Sequence, residues 1–150
     1  YNRIFLIKDG VIKIVKTKED SPVINFVKDE NIKTNLIVPS GLISYIFKKT
    51  ETPILLHTES LDFIPYHPYL TNKFFRILEK IYDIKNYLPP EKNNPYLSDD
   101  YIRNVFENRP KDEWLLIKKE FNVEFILVPN VWDLKLNIYK EDNKYKLFQL

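Results

Sequence analysis

Short apolar runs alternate with polar breaks along the chain, and the spacing inside each run sets the element expected there. Ile4-Phe5-Leu6-Ile7-Lys8 and Val11-Ile12-Lys13-Ile14-Val15-Lys16 are rich in β-branched residues and flank Asp9-Gly10. That dipeptide tolerates the positive φ angles of a type I′ turn, so a β-hairpin is predicted. Ser21-Pro22 offers an N-cap followed by a residue pre-set for the first helical turn, and Val23, Phe26 and Val27 then recur at helical spacing. Residues 35–39 read as a brief apolar strand, and Ser40 caps a predicted helix with Leu42, Ile43, Ile46 and Phe47 on one stripe. Ile54-Leu55-Leu56-His57 is the kind of run that is buried on both faces of a parallel sheet. The two strands and their helix predict a β-α-β crossover, which is right-handed as a rule.

Residues 58–70 are predicted as loop, with Pro65 and Pro68 bracketing Tyr66-His67. Thr71 is expected to cap an amphipathic helix whose apolar face carries Phe74, Phe75, Leu78, Ile81 and Tyr82. Residues 85–99 form a second irregular stretch, with Pro89-Pro90, Asn93-Asn94 and Pro95; its length fits a functional or interface role or a packed surface loop. Ser98 caps a helix running to about Phe106. Pro110 at the first helical position, with Asp112 and Glu113 in the first turn, starts another that carries Trp114, Leu115, Ile117 and Phe121 and stops at Asn122. Residues 123–129 are the third strong strand. Residues 134–139 and 145–150 alternate around Glu141-Asp142-Asn143-Lys144 and predict a closing hairpin. The fold class expected is α/β: one domain over residues 1–150, three layers, a mixed and mostly parallel sheet with flanking helices and terminal β-hairpins. The parallel part runs through Leu36, Leu55 and Ile126.

Composition narrows the function more than it identifies it. The 150 residues are 44% hydrophobic, enough for a single sizeable core. Lys and Arg number 23 against 21 Asp and Glu, a formal charge of +2. Nucleic-acid binding by counterion release needs a concentrated positive field, so no nucleic-acid partner is expected. No apolar run approaches the roughly 18 residues that cross a bilayer as a helix. With no Cys, thiolate nucleophiles, disulfides and Cys-ligated zinc are excluded. Gly10 and Gly41 are the only glycines. Glycine-rich phosphate loops are therefore absent, and no cofactor is expected. Ten Pro, ten Tyr and ten Phe point to an aromatic core threaded by proline-punctuated loops. The chain opens on Tyr1 and shows no signal-peptide pattern, which suggests a piece of a larger protein.

The densest titratable set is His57, Glu59, Asp62 and His67, beginning where the second crossover strand ends. Ligands in open α/β sheets bind beyond the carboxyl ends of strands, so the place suits a site. The spacing matches no metal motif, and neither a metal site nor a catalytic residue is assigned. The plainer reading has His57 satisfying a strand end and His67 stacking among Tyr66, Pro68 and Tyr69. Asp99-Asp100, with Glu91, offers carboxylates for glycoside or phosphate chemistry, but neighbours at a helix start cannot flank a reacting bond and better serve the helix dipole. Arg109, Lys111, Asp112, Glu113 and Trp114 combine charge with an aromatic, as anion or sugar sites do, while a helix start with Trp114 on its buried face explains the same letters.

Several stretches, in order, resemble the C-terminal region of multi-spanning bacterial membrane proteins akin to the C superfamily of glycosyltransferases. Residues 35–39 look like the strand after the last membrane helix. Thr52-Pro53-Ile54-Leu55-Leu56 is similar to the family's arginine-proline-valine-leucine strand, with Thr52 in place of the basic residue. Leu61-Asp62-Phe63-Ile64-Pro65-Tyr66 resembles its leucine-aspartate to proline-tyrosine loop. Ile81-Tyr82-Asp83-Ile84 is similar to a helix-closing tyrosine-glycine-isoleucine turn, with Asp83 in place of glycine, and Pro89-Pro90 to a diproline after it. Glu107-Asn108-Arg109, Glu113-Trp114, Phe121-Asn122-Val123, Val128-Pro129, Trp132 and Leu134-Lys135-Leu136 follow the family's final helix, strand and tail. Tyr145-Lys146-Leu147-Phe148-Gln149-Leu150 resembles its last strand.

The resemblance implies a non-catalytic accessory domain, membrane-associated on the extracytoplasmic side, because such enzymes keep their catalytic acids in loops of the membrane portion. It packs over or near the membrane-embedded active site. The implied partners are the transmembrane portion of the same chain and a lipid-linked glycan. Tyr66, His67, Tyr69 and Trp132 would touch glycan or neighbouring loops, since aromatic faces suit both. Binding candidates are thus His57, Glu59, Asp62, Tyr66, His67 and Trp132. Two other classes stay open: a small hydrolase or metal-dependent enzyme built on the loop from His57 to His67, and a protein interaction module.

Overall fold

Successive residues of a strand face opposite ways, and the central strand of this protein is apolar on both sides. The computed structural model describes residues 3–8, 11–16, 21–30, 32–39, 43–55, 65–84 and 98–150. Its elements are β1 (Arg3–Lys8), β2 (Val11–Lys16), α1 (Pro22–Asp29), β3 (Asn35–Ile37), α2 (Ile43–Thr50), α3 (Thr71–Tyr82), α4 (Asp99–Asn108), α5 (Lys111–Phe121), β4 (Val123–Pro129), β5 (Asn137–Glu141) and β6 (Tyr145–Gln149). Leu36, Leu127 and Leu147 meet Val23, Ile24 and Val27 of α1 and Ile46 of α2. Their sequence neighbours Ile37, Ile126 and Phe148 face the opposite way, onto buried residues of α3, α4 and α5. Two cores on opposite faces of one sheet make the three-layer α/β arrangement that the sequence predicts.

The sheet order is β3-β4-β6-β5, parallel between β3 and β4 and antiparallel elsewhere. Leu36 also forms a parallel bridge to Ile54, framed by Leu36 N–H donating to the Pro53 carbonyl at 2.8 Å and Leu55 N–H donating to the Leu36 carbonyl at 2.9 Å. The parallel part thus runs through the predicted residues, but the segment at 54 contributes one bridge rather than a full strand, so the mixed sheet is mostly antiparallel instead of mostly parallel as expected. The first hairpin pairs β1 with β2 antiparallel, from Arg3 opposite Lys16 to Lys8 opposite Val11. Its turn, Asp9-Gly10, lies outside the described residues, as do Ser40, Leu42 and residues 85–97. Among the described residues no helix is long and apolar enough to cross a membrane.

Helix ends follow local chemistry. The Ser21 hydroxyl accepts from Ile24 N–H at 3.3 Å and the Ser98 hydroxyl from Tyr101 N–H at 3.2 Å, each satisfying an amide the helix cannot. Asn122 (φ 52°, ψ 54°) and Asp83 (φ 54°, ψ 29°) end their helices in the left-handed region, where Asn and Asp are tolerated because their side chains are short and polar. Two expected starts differ. Thr71 is the first helical residue of α3 rather than its cap, because a 3-10 turn at Pro68–Leu70 runs straight into the helix. Pro110 stands one position earlier than predicted, extended at ψ 155°, with its carbonyl accepting from Trp114 N–H at 3.4 Å. Phe75, Leu115 and Phe47 are exposed, and Ile77 fills the apolar face of α3 instead of Phe75.

The core against α3–α5 centres on Phe106, which is 0% exposed. Its ring meets Trp114 edge-on at 5.1 Å, Trp132 at 6.0 Å and Tyr82 at 5.8 Å. Tilted and edge-to-face rings align positive edges with negative faces, which adds to the area they bury. On the other face, Asp142 ties the β5–β6 turn to the start of α1. Its Oδ2 accepts from the Ser21 hydroxyl and from Val23 N–H at 3.1 Å; its Oδ1 accepts from Lys144 N–H at 2.7 Å and Tyr145 N–H at 2.9 Å. Burial pushes this carboxyl up, but the Ser21 hydroxyl and the three amides outweigh it and hold the group below its ordinary value.

Candidate functional site

Of the six binding candidates, Tyr66, His67 and Trp132 lie among the described residues; His57, Glu59 and Asp62 lie outside them. Tyr66 and His67 come together on the short turn that feeds α3. The residues at 65–66 and Pro68–Leu70 form successive 3-10 turns, which Pro65 and Pro68 favour by fixing φ. This geometry leaves Tyr66 79% and Tyr69 76% exposed. The Tyr69 hydroxyl lies 3.2 Å from His67 Nδ1, and the two rings meet edge to face at 5.7 Å. The His67 ring is thereby held against Tyr69, as the plainer reading of its neighbourhood suggested, and remains exposed.

Trp132 takes a different role from the one expected of it. It is 4% exposed and packs on Phe106, so neither face is open to a ligand. The connection from β4 to β5 folds inward here. Trp132 N–H donates to the Pro129 carbonyl at 3.0 Å, Lys146 Nζ donates to the Trp132 carbonyl at 3.2 Å, and Arg103 Nη2 donates to the Val131 carbonyl at 2.8 Å. A companion bond runs from Asp133 N–H to Glu107 Oε1 at 2.9 Å. Burial pushes the Glu107 carboxyl up; the Asp133 amide and Arg103 prevail and hold it below its ordinary value.

The charged set near α5 separates into inward and outward members. Lys111, Asp112 and Glu113 are exposed, while Trp114 is buried with Arg109 stacked on it, the guanidinium carbon 4.7 Å from the ring centroid. Arg109 Nη1 donates to the Ile81 carbonyl at 2.8 Å, and Nε lies 3.6 Å from Glu113 Oε2. One side chain thus joins the ends of α3 and α4 to the start of α5. Burial pushes its guanidinium below the ordinary value, with Glu113 and Asp83 opposing. Asp99 and Asp100 sit in the first turn of α4, where they complement the helix dipole.

Sequence reading passed over Asn104 and met Asn108 only within the family-like stretch Glu107-Asn108-Arg109, giving neither a binding role; both line a groove with Arg109. Their four-residue spacing, which puts two side chains on one helix face, was the available signal. Among the described residues no group of three or more His, Asp or Glu comes together to hold a metal ion. The fold and these surfaces define an α/β three-layer module carrying an exposed aromatic turn and a charged groove. No family model, curated protein or solved structure matches the chain.

Proposed function

We propose that this chain is a non-catalytic accessory domain of a membrane-bound glycosyltransferase-like protein, on the extracytoplasmic side, packing over or near the membrane-embedded active site. The observation that carries the reading is the turn at 65–70, which holds two aromatic rings almost fully in solvent. Large exposed aromatics backed by a fixed turn are suited to contact, because rigid rings bury much area at little entropic cost. Proline on both sides of Tyr66 and the contact between His67 and Tyr69 restrict how the surface can move before it is covered. The order of family-like stretches along the sequence supplies the context: a lipid-linked glycan or a loop of the membrane portion is the surface those rings meet.

The test places a photo-crosslinking residue at Tyr66 in the full-length protein in its own membrane. Irradiation is expected to join the domain to the membrane-embedded portion of the same chain or to a glycan-bearing lipid. Crosslinks confined to unrelated soluble proteins, or turnover of a glycosidic substrate by the purified 150-residue chain alone, would overturn the proposal.

A further inference from the structure

The groove between the end of α3 and the corner of α4 and α5 encloses about 550 Å³, within the range of small-molecule sites. Arg109 lines it, although the residue is only 6% exposed. Nη1 and Nε are engaged with Ile81 and Glu113, whereas Nη2 has no hydrogen-bond partner among the described residues. Trp114 Nε1 is the fully buried side-chain polar atom without a partner among the described residues, whereas Nη2 keeps access to the groove, so its remaining hydrogen bond falls to water or to a ligand there. A ligand oxygen in the groove can take that bond in place of water, and the stacking on Trp114 already fixes the direction from which it is reached.

Charge selects the ligand class. Glu79, Asp83 and Glu113 oppose Lys80 and Arg109 along this wall, so an anion such as phosphate meets more repulsion than attraction. A simple cation leaves Arg109 unsatisfied. Hydroxyl groups suit both signs, because each donates to a carboxylate and accepts from a guanidinium. The amides of Asn104 and Asn108 add to this. Asn108 Nδ2 donates to the Asn104 carbonyl at 2.9 Å and to Asn104 Oδ1 at 2.8 Å, leaving Asn108 Oδ1 as an acceptor and Asn104 Nδ2 as a donor. We infer that this groove binds a small neutral saccharide, with Arg109, Asn104, Asn108 and the carboxylates of Asp83 and Glu79 as its hydrogen-bonding frame. The inference rests on the groove alone: failure of the Tyr66 crosslink leaves it standing, and its own failure leaves the accessory-domain reading standing.

Titration of the isotope-labelled chain with cellobiose, diacetylchitobiose and mannobiose, followed through its amide signals, tests it, with inorganic phosphate and spermidine as charged comparators. At least one disaccharide is expected to give saturable shifts at Asn104, Asn108, Arg109 and Glu113 larger than either ion gives. The double variant N104A/N108A alters only exposed side chains; its affinity is expected to fall about tenfold while its thermal unfolding is unchanged. Absence of saturable shifts with every disaccharide, a stronger response to phosphate or spermidine, or an unaltered affinity in the double variant overturns the assignment.

Discussion

Asp142 and Arg109 are charged groups drawn into the fold on opposite faces of the sheet, and they are compensated to different degrees. Both oxygens of Asp142 are engaged, each by two donors from the protein itself. Arg109 has one nitrogen bonded, one near a carboxylate, and one facing no acceptor among the described residues. The two groups also shift in opposite senses of stability. The charged form of Asp142 is favoured by folding, since hydrogen bonds outweigh burial; that of Arg109 is disfavoured, since burial outweighs Glu113 and Asp83. A fully satisfied charge is architecture. A partly satisfied one beside a groove is a site with capacity left over.

The largest test of this contrast is Asp142→Ala. It strands the Ser21 hydroxyl and the amides of Val23, Lys144 and Tyr145, loosening α1 from the β5–β6 turn. A loss of about 3 kcal/mol in denaturant unfolding is expected, from stranded donors and a weakened helix start. A loss below about 1 kcal/mol would mean that water replaces the carboxylate freely, and that Asp142 is no anchor.

The same carboxylate fixes the acid behaviour. A folded-state value below the ordinary carboxylate value means that the native state binds fewer protons than the unfolded chain, so its contribution is complete above the unfolded value and is lost as pH falls through the folded one. Glu107 is shifted in the same direction and adds to this loss. The stability gap between the native chain and Asp142→Asn is therefore expected to be constant above about pH 5 and to shrink on acidification. Unfolding curves measured across that range check it; a gap that widens with acid would reverse the assigned sign.

How far the sequence foretold these two centres depends on distance along the chain. Helix caps at Ser21 and Ser98 and the stop at Asn122 were legible because their partners sit within a few residues. Apolar periodicity placed the helices and the parallel run through Leu36 and Ile126, though it misassigned Phe75 and Leu115, whose neighbours Ile77 and Trp114 claim the buried face. Asp142 was read as a turn residue. Its tie to Ser21 spans 121 positions, and no local pattern encodes such a pairing. Trp132 was expected to touch a glycan or a neighbouring loop because aromatic faces suit both. What buries it are bonds from Arg103 and Lys146 on other elements, together with the ring of Phe106. Arg109 was seen as either ligand-binding or structural, and its geometry gives it a structural grip with a donor to spare.

Two substitutions at Arg109 probe the smaller effects and separate charge from shape. Arg109→Met keeps an unbranched stem over Trp114 and removes a guanidinium whose charge the fold disfavours. It forfeits the bond to the Ile81 carbonyl, so a net loss of about 1 kcal/mol or less is expected. Arg109→Lys keeps the charge but replaces a planar, weakly hydrated fork with a compact ammonium that cannot lie flat on the indole. Desolvation then costs more while stacking is lost, and the Lys variant is expected to be the less stable of the two by about 1 kcal/mol. Paired chemical denaturation at neutral pH gives this order directly. If Lys proves the milder change, positive charge itself is what the α3–α5 corner needs, and the view of Arg109 as an incompletely satisfied group gives way to one in which Glu113 and Asp83 already compensate it.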